Sequence, residues 1–230
     1  MLGVVVPCFN EEGVVEELIK EFEKCRQALA FDVIFIDDGS IDGTGGKIKG
    51  LARTCSWIKI VMHEKNQGLA QSLKDGFSFA LKEGYDVIGQ MDSDLTHPPA
   101  LLQGLMDEMK DADLVIASRY IPGGGMKDVP SWRVAVSRVG NKMFRLFLRI
   151  TTLDATSGYR VGRREVYERL VLKSDSFGIQ LEATVKAERL GFRVKEFPFV
   201  LESRRKGSSK FRARYLLGYI PLAIRLMVKR

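Results

Sequence analysis

The sequence predicts an α/β fold in which helices cover both faces of a mostly parallel sheet. Through residues 2–118, short apolar or β-branched runs alternate regularly with helical patterns, and this alternation is typical of β-α-β units. Polar, acidic segments directly follow three of the apolar runs, at the strand ends where open α/β sheets bind ligands. The 230 residues and the hydrophobic content of 45% are sufficient for a complete core.

The predicted elements follow one another at short intervals. Strands are expected at residues 2–6, 32–37, 58–63, 86–91 and 113–118, and helices at 14–30, 42–53, 69–82 and 99–110. The second half of the chain predicts helices at 131–150 and 177–190, a strand at 193–202 and a turn at 156–160. Residues 121–130 are rich in Gly and Pro and predict a mobile loop above the strand ends.

Two carboxylates, Asp92 and Asp94, follow the predicted strand at 86–91, and Pro98 and Pro99 then open a helix. Carboxylates this close repel each other unless a cation lies between them. Hard oxygen ligands of this kind suit Mg²⁺ or Mn²⁺ held jointly with substrate phosphates. Because an Asp N-cap at a strand end is a simpler explanation, the pair predicts a metal site only together with the neighbouring loops.

Two further polar loops are expected at the same edge of the sheet. Residues 7–12 follow the first strand, and residues 37–44 follow the second. Asn10 and Asp42 also suit helix N-caps, but three acidic strand ends on one edge predict a binding site. The sequence contains neither a Gly-x-Gly-x-x-Gly fingerprint nor a P-loop motif, which argues against dinucleotide-binding and P-loop folds.

Charge is divided unevenly along the chain. Residues 1–130 carry a net charge of −8, and residues 131–230 carry +15. The basic part indicates an anionic partner, which could be nucleic acid, lipid phosphate or an anionic membrane surface. Cys8, Cys25 and Cys55 lack metal-ligand spacing and are expected to be reduced thiols in a cytosol-facing protein. The N-terminal residues predict no signal peptide.

Two basic amphipathic segments, residues 131–150 and 211–230, favour the interpretation that the protein lies on a membrane surface. Residues 131–150 contain five cations and no carboxylate, together with Trp132, Phe144 and Phe147, which is typical of a helix lying in a lipid interface. A solvated surface helix is the alternative. The tail at 211–230 has an apolar run far shorter than the roughly 20 residues that span a bilayer. Whether a transmembrane segment or a membrane-protein partner completes this tail stays open.

Six motifs in register resemble a known family. They are residues 7–11 (PCFNE), 37–44 (DDGSIDGT), 90–97 (QMDSDLTH), 117–120 (ASRY), 156–159 (TSGY) and 204–210 (RRKGSSK). Together they resemble the family 2 glycosyltransferases of GT-A fold, in the subgroup of dolichol-phosphate mannose synthases and related polyprenyl-phosphate glycosyltransferases. The resemblance extends over nearly the whole chain.

The resemblance implies a nucleotide-sugar donor and a divalent cation. The nucleoside-binding residues implied by the motifs are Pro7, Phe9, Asn10, Glu11 and either Asp37 or Asp38. Asp92 and Asp94 would hold Mg²⁺ or Mn²⁺ at the diphosphate, where the cation acts as a Lewis acid. Relatives often carry Gln where this chain has Thr96, so Thr96 is the implied third ligand and a weaker one.

The resemblance also implies a polyprenyl phosphate acceptor. The residues implied to contact its phosphate are Arg119, Arg133, Ser137, Arg204 and Lys210. A guanidinium suits phosphate, although a salt bridge to an acid of the same edge is the alternative for Arg119. The Glu-Asp pair with which many relatives deprotonate an alcohol is absent, since Ala183 follows Glu182. A phosphate is already ionised and needs no such base, so Glu182 is expected to be a site-wall or structural residue rather than the catalytic base.

The resulting hypothesis is an inverting, metal-dependent glycosyltransferase at the cytosolic face of a membrane, with Asp92, Asp94 and Arg119 as catalytic residues. Residues 1–118 would bind the nucleotide sugar, 119–210 the acceptor, and 211–230 the membrane interface. GDP-mannose with dolichyl phosphate is the favoured pair, and UDP-glucose or UDP-GlcNAc with a polyprenyl phosphate is the alternative. A transferase acting on a soluble sugar or polysaccharide, and a nucleic-acid-binding module, are less favoured.

Overall fold

The computed structural model describes residues 1–202 and 214–228, with the side chains of the second range described from residue 218 onward. The strands are β1 (Leu2–Cys8), β2 (Phe31–Asp37), β3 (Ile58–Met62), β4 (Val87–Gln90), β5 (Leu114–Ser118), β6 (Gly125–Lys127), β7 (Arg160–Arg163), β8 (Val194–Pro198) and β9 (Val200–Glu202). The helices are α1 (Val15–Cys25), α2 (Thr44–Ala52), α3 (Leu69–Lys82), α4 (Leu102–Glu108), α5 (Ser131–Leu148), α6 (Arg164–Arg169), α7 (Ile179–Arg189) and α8 (Arg214–Val228). A 3₁₀ turn, Pro99–Leu101, precedes α4.

Seven strands form the central sheet in the order β3-β2-β1-β4-β7-β5-β8. All neighbouring strands pair in parallel except β7, which is antiparallel to both β4 and β5. A separate two-stranded sheet pairs β6 with β9. The predicted α/β class with a mostly parallel, helix-covered sheet is therefore confirmed.

Apolar side chains pack on both faces of the sheet, because successive residues of a strand point to opposite sides. On one face Val4 and Val6 pack with Leu18 and Phe22 of α1. On the other face Val5 belongs to a cluster that includes α3, α6 and α7. Burial on two sides explains why the strands read as continuous apolar runs in the sequence.

A third apolar cluster joins α5, α7 and α8. It contains Leu148, Leu181 and Leu222, and Gly178 at the N-terminal end of α7 allows the close approach of α8. A methyl group on Gly178 would lie 2.3 Å from Leu222 Cδ2, which is shorter than any van der Waals contact.

Several predicted boundaries needed correction. The predicted helix at 14–30 ends at Cys25, and the helix at 99–110 begins as a 3₁₀ turn. The strand at 193–202 is two strands in different sheets, and part of the predicted mobile loop at 121–130 forms β6. The short elements β7 and α6 were not predicted.

Candidate active site

Three strand ends meet at one edge of the molecule, as the sequence predicted. β2, β1 and β4 are neighbours and run in parallel, so the segments that follow them leave the sheet on the same side. Pro7 lies within β1 and is buried, and Phe9 and Asn10 follow its end half-buried. The candidate site is built on this edge.

Hydrogen bonds join the loop after β1 to the loop after β2. The Asn10 side-chain oxygen accepts from the Ile41 N–H at 3.0 Å, and the Asn10 N–H donates to Ser40 Oγ at 3.0 Å. The N–H of Glu11, a buried residue, donates to Thr44 Oγ1 at 2.9 Å. Asn10 has a left-handed backbone, with φ of 53°, a conformation that Asn tolerates better than most residues. The two loops therefore form one unit.

The buried carboxylates Asp37 and Asp38 support loops at this edge. Asp37 Oδ1 accepts from the Ser40 N–H at 3.1 Å. Asp38 Oδ1 accepts from the Gln67 N–H and Oδ2 from the Gly68 N–H, each at 2.8 Å. Asp38 thus fixes the segment that enters α3. Whether either carboxylate also contacts a base or ribose stays a prediction.

His63 is a site residue that sequence reasoning missed. Its Nδ1 lies 2.8 Å from Asp38 Oδ1, and its Nε2 lies 3.2 Å from Asp75 Oδ2. Because an ionised carboxylate only accepts hydrogen bonds, the Nδ1 atom must carry a proton in this arrangement. A histidine as the last residue of the predicted strand at 58–63 was the available signal in the sequence.

Asp92 and Asp94 occupy different environments. The Asp92 side chain is 40% exposed, whereas Asp94 is buried. Asp94 Oδ1 accepts from the Thr96 N–H at 3.0 Å and from Thr96 Oγ1 at 2.6 Å. Thr96 therefore orients Asp94, and its hydroxyl oxygen retains lone pairs for other contacts.

His97 supports the same segment and was also missed. Its Nδ1 accepts from the Asp92 N–H at 2.9 Å, and its ring stacks on Tyr159 with centroids 5.1 Å apart. Tyr159 belongs to the 156–160 segment, whose Gly158 approaches the Asp92 carboxylate. The Tyr159 hydroxyl donates to Pro98 O at 2.9 Å. The segment is thereby held beside the two carboxylates.

Arg119 forms a bidentate ion pair with Asp154, not with an acid of the three loops. Its Nε donates to Asp154 Oδ2 at 2.7 Å, and its Nη2 donates to Oδ1 at 2.6 Å and to Thr156 Oγ1 at 3.2 Å. Burial lowers the pKa of Arg119, but the charge and hydrogen bonds of Asp154 outweigh this effect, so the net pKa is raised. Arg119 is therefore a fixed cation.

Helix α5 contacts the Arg119 network through two side chains. Asn141 Nδ2 donates to Thr156 Oγ1 at 3.2 Å, and the Tyr120 hydroxyl donates to Ser137 Oγ at 2.6 Å. Arg133 lies one turn before Ser137 on the exposed surface, 5.3 Å from the Trp132 ring. Arg204 and Lys210 lie outside the described residues.

Glu182 has the structural role expected from the sequence. Its carboxylate accepts from the N–H groups of Lys173 and Ser174 at 3.0 and 2.6 Å. It also pairs with Lys186 at 2.7 Å and lies 3.6 Å from Arg225 of α8. These contacts join α7 to the preceding segment and to α8.

The chemistry of Asp92 and Asp94 fits a divalent cation shared with a substrate. Across residues 1–202 and 214–228, no group of three or more His, Cys, Asp or Glu side chains is arranged to hold a metal ion. Mg²⁺ commonly takes only one or two protein carboxylates and completes its shell with waters and phosphate oxygens. Two carboxylates at the end of β4 are therefore a sufficient protein contribution.

An α/β sheet of this topology, with an Asp-x-Asp pair at the end of β4, defines a GT-A-type enzyme. The family model for glycosyl transferase family 2 matches residues 3–171. The chain therefore belongs to glycosyl transferase family 2. The predicted family and enzyme class are confirmed.

Several characterised proteins are similar over most of the chain. An undecaprenyl-phosphate mannosyltransferase of Micrococcus luteus is 33% identical, covering 90% of this chain and 85% of the relative. A polyprenol monophosphomannose synthase of Mycolicibacterium smegmatis is 36% identical, covering 90% of this chain and 79% of the relative. A dolichol-phosphate mannosyltransferase of Pyrococcus furiosus is 31% identical, covering 98% of this chain and 63% of the relative.

Solved structures support the fold. Glucosyl-3-phosphoglycerate synthase of Mycobacterium tuberculosis, in complex with Mn²⁺, UDP-glucose and phosphoglyceric acid, superposes with a TM-score of 0.69 at 21% identity, covering 99% of this chain and 78% of that chain. The same enzyme with Mg²⁺ and UDP also gives 0.69, at 22% identity and the same coverage. At this identity the likeness establishes the fold alone.

Proposed function

We propose that the protein transfers a sugar from a nucleotide sugar to a polyprenyl phosphate. One observation supports this above all: the turn at residues 156–158 contacts both halves of the predicted site. Gly158 lies beside Asp92, with its Cβ position 3.4 Å from Asp92 Oδ1. Thr156 accepts from Arg119 and from Asn141 of α5, each at 3.2 Å. A donor on the Asp92 side and an acceptor on the α5 side would therefore meet at this turn.

The donor half, residues 1–118, would hold the nucleotide against the joined loops after β1 and β2. Pro7, Phe9, Asn10, Glu11, Asp37 and Asp38 are the proposed nucleoside-binding residues. Asp92 and Asp94, with Thr96 orienting Asp94, would hold Mg²⁺ or Mn²⁺ beside the diphosphate. A bound divalent cation supplies Lewis-acid stabilisation of the charge on the departing nucleoside diphosphate.

The acceptor half, residues 119–210, would hold the lipid phosphate on fixed cations. Asp154 and Thr156 engage Nε and Nη2 of Arg119, while Nη1 donates to no residue in the described parts of the chain. That end of the guanidinium can serve a phosphate oxygen. Arg133 and Ser137 of α5, and Arg204 and Lys210 by motif match, complete the proposed phosphate contacts.

The transfer itself requires positioning more than proton transfer. A phosphate oxygen of the acceptor forms a bond to the anomeric carbon while the bond from that carbon to the diphosphate oxygen breaks, with inversion. The products are a glycosyl polyprenyl phosphate and a nucleoside diphosphate. Because the acceptor oxygen is already ionised, Arg119 has only to hold it in line, and the structural role of Glu182 is consistent with a reaction without a general base.

The relatives named as mannosyltransferases favour GDP-mannose as the donor. Dolichyl phosphate is the favoured acceptor. The proposed location is the cytosolic face of a membrane, and the exposed surface of α5 supports it. Among the described helices, none combines the length and hydropathy needed to cross a bilayer.

Calorimetry of nucleotide binding tests the proposal. We expect the wild-type protein to bind GDP and GDP-mannose in the presence of Mn²⁺, and Asp94→Ala to lose this metal-dependent binding. Asp107→Ala, an exposed residue of α4, is the matched control and should bind as wild type. Metal-dependent binding of UDP alone would change the donor to a UDP-sugar. Absence of binding by any nucleotide would overturn the proposed function.

A further inference from the structure

Four consecutive main-chain N–H groups donate to carboxylates from distant parts of the chain. They belong to residues 151–154, between α5 and the turn at 156–158. The N–H groups of Thr151 and Thr152 donate to Glu188 of α7 at 2.7 and 2.9 Å, and both threonine hydroxyls donate to the same carboxylate. Because every main-chain donor of this short segment has a charged acceptor, its backbone is held in one conformation.

Glu196 of β8 holds the second half of this segment. Its Oε2 accepts from the Leu153 N–H at 2.8 Å, and its Oε1 accepts from the Asp154 N–H at 2.9 Å. β8 pairs in parallel with β5, and Glu196 lies opposite Ile116 in the register. The carboxylate that fixes the main chain of Asp154 is therefore on the strand next to the one that Arg119 follows.

Asp154 in turn fixes both the main chain and the side chain of Arg119. The Asp154 carboxylate is fully buried, and its Oδ2 accepts from the Arg119 N–H at 3.0 Å in addition to the two guanidinium contacts. Glu196 holds the main chain of Asp154, and Asp154 holds Arg119 at three donors. A displacement of the main chain at 153–154 is therefore passed on to the guanidinium plane.

We propose that Glu196 is a positioning residue of the transfer reaction, which orients the Arg119 guanidinium toward the acceptor phosphate through Asp154. The inference rests on the proposed function, since it assumes that Arg119 holds that phosphate. Because the charge of Asp154 offsets that of Arg119, the guanidinium contributes more through the direction of its hydrogen bonds than through net attraction. A misplacement of about 1 Å can lower a rate by about 100-fold, so orientation affects kcat more than acceptor binding.

Two substitutions of Glu196 test this role. Glu196→Gln keeps the side-chain volume but replaces one acceptor oxygen with an NH₂ group, which cannot accept from a main-chain N–H. Glu196→Asp keeps the charge but is too short to hold both N–H groups of 153–154. Glu188→Gln is the matched control, because it removes the same kind of acceptor from residues 151–152 of the same segment.

The measurements are kcat and KM for transfer to a short-chain prenyl phosphate, with GDP-mannose and with UDP-glucose as donors in Mn²⁺. Calorimetric Kd of the sugar nucleotide and thermal melting accompany them. We expect both Glu196 variants to lower kcat about tenfold, while KM for the prenyl phosphate and Kd of the sugar nucleotide stay within about twofold of wild type. Glu188→Gln should keep kcat within about twofold of wild type.

A purely structural role predicts the opposite order of the variants. Among the described residues, Glu188 accepts four hydrogen bonds and Glu196 accepts two, so Glu188→Gln would then be the more harmful change. That order, or an unchanged kcat in Glu196→Gln, would overturn the inference while the proposed function stands. A loss in Glu196→Gln but not in Glu196→Asp would assign the effect to charge and would also overturn it. A wild-type protein that transfers no sugar to the prenyl phosphate overturns the proposed function itself.

Discussion

At the scale of single residues, acidic side chains that look alike in the sequence have different surroundings. Asp38 and Asp94 are buried and accept hydrogen bonds from nearby main-chain N–H groups. The Asp92 side chain, in contrast, is 40% exposed and lies beside Gly158. Sequence spacing located these carboxylates correctly at one edge, but only the fold separates the buried ones, which support loops, from the partly exposed Asp92.

The partners of the predicted site residues were beyond the reach of sequence reasoning. Arg119 was identified from its position after β5, but its ion pair is with Asp154, 35 residues further along the chain. His63 reaches Asp38 across 25 residues, and Asn141 reaches Thr156 across 15. Such contacts depend on how strands are ordered in the sheet, which local patterns do not specify.

The prediction at the scale of single residues concerns the substitution of His63. His63→Ala removes the N–H donor to a buried carboxylate, so we expect a loss of about 1–2 kcal/mol in unfolding free energy. Nucleotide binding should weaken as well, because Asp38 positions residues 66–68. His63→Asn places an N–H near the position of Nδ1 and should restore most of both properties. Urea unfolding and calorimetry provide the two measurements. If His63→Ala and His63→Asn behave alike, His63 does not act on stability and nucleotide binding through its hydrogen bond to Asp38.

At the scale of secondary structure, the sequence was most informative for the repeated β-α units. The strands β1 to β5 and the helices α1 to α4 lie where apolar periodicity placed them, with shifts of a few residues at most ends. β7 was missed because Arg160–Arg163 has four residues, of which two are arginines and one is glycine. Its insertion between β4 and β5 is what brings the 156–160 segment to Asp92, so the missed strand is essential to the site.

An ion pair between Asp113 and Arg193 joins the start of β5 to the start of β8. The prediction at this scale concerns the contribution of this pair to stability. Arg193 Nη2 donates to Asp113 Oδ1 at 2.9 Å, and the Arg193 N–H donates to Oδ2 at 2.9 Å. The hydrogen bonds from Arg193 hold the pKa of the Asp113 carboxyl below its ordinary value. The stability from this pair is therefore present above the unfolded-state pKa and is lost as pH falls through the lower folded-state pKa.

We accordingly expect Asp113→Asn to lower the unfolding free energy at neutral pH by about 1 kcal/mol, a modest value because Arg193 is largely exposed. As the pH falls below the ordinary range of an aspartate carboxyl and through the lowered folded-state pKa, the wild-type carboxylate becomes protonated, so the difference between the two proteins should shrink. Urea unfolding of both proteins across this pH range measures the difference in unfolding free energy. A difference independent of pH would mean that ionisation of Asp113 does not contribute.

At the scale of the whole molecule, the exposed surface of α5 is unusual for a helix on a globular protein. Apolar side chains at helical spacing face outward; they are Trp132, Val136, Val139, Met143, Leu146 and Phe147. The five cations of residues 131–150 flank this stripe without a carboxylate. α8 packs beside α5 through Phe144 and Tyr219, with ring centroids 5.5 Å apart, and it also exposes Ile220 and Ile224.

These features suit an anionic membrane surface, where apolar side chains enter the lipid boundary and cations meet the head groups. The contacts of α5 with Tyr120 and Thr156, which adjoin Arg119, would then place the proposed acceptor phosphate at the level of those head groups. A water-exposed helix would have little reason to combine an outward apolar stripe with unbalanced positive charge. The membrane surface is therefore the partner that the charge division of the chain and the fold favour together.

Leu146→Glu tests this arrangement at the most exposed apolar position of α5, which is 73% exposed. A leucine side chain that enters the lipid contributes about 1.5–3 kcal/mol of transfer free energy, which the substitution removes. The new carboxylate also repels anionic lipid. We therefore expect at least about tenfold weaker sedimentation with phosphatidylserine-containing vesicles, with no change in nucleotide affinity. Val171→Glu, an exposed apolar position outside α5 and α8, should bind vesicles as wild type does. Equal loss in both variants would attribute the effect to net charge, and unchanged binding by Leu146→Glu would exclude the α5 surface as the membrane contact.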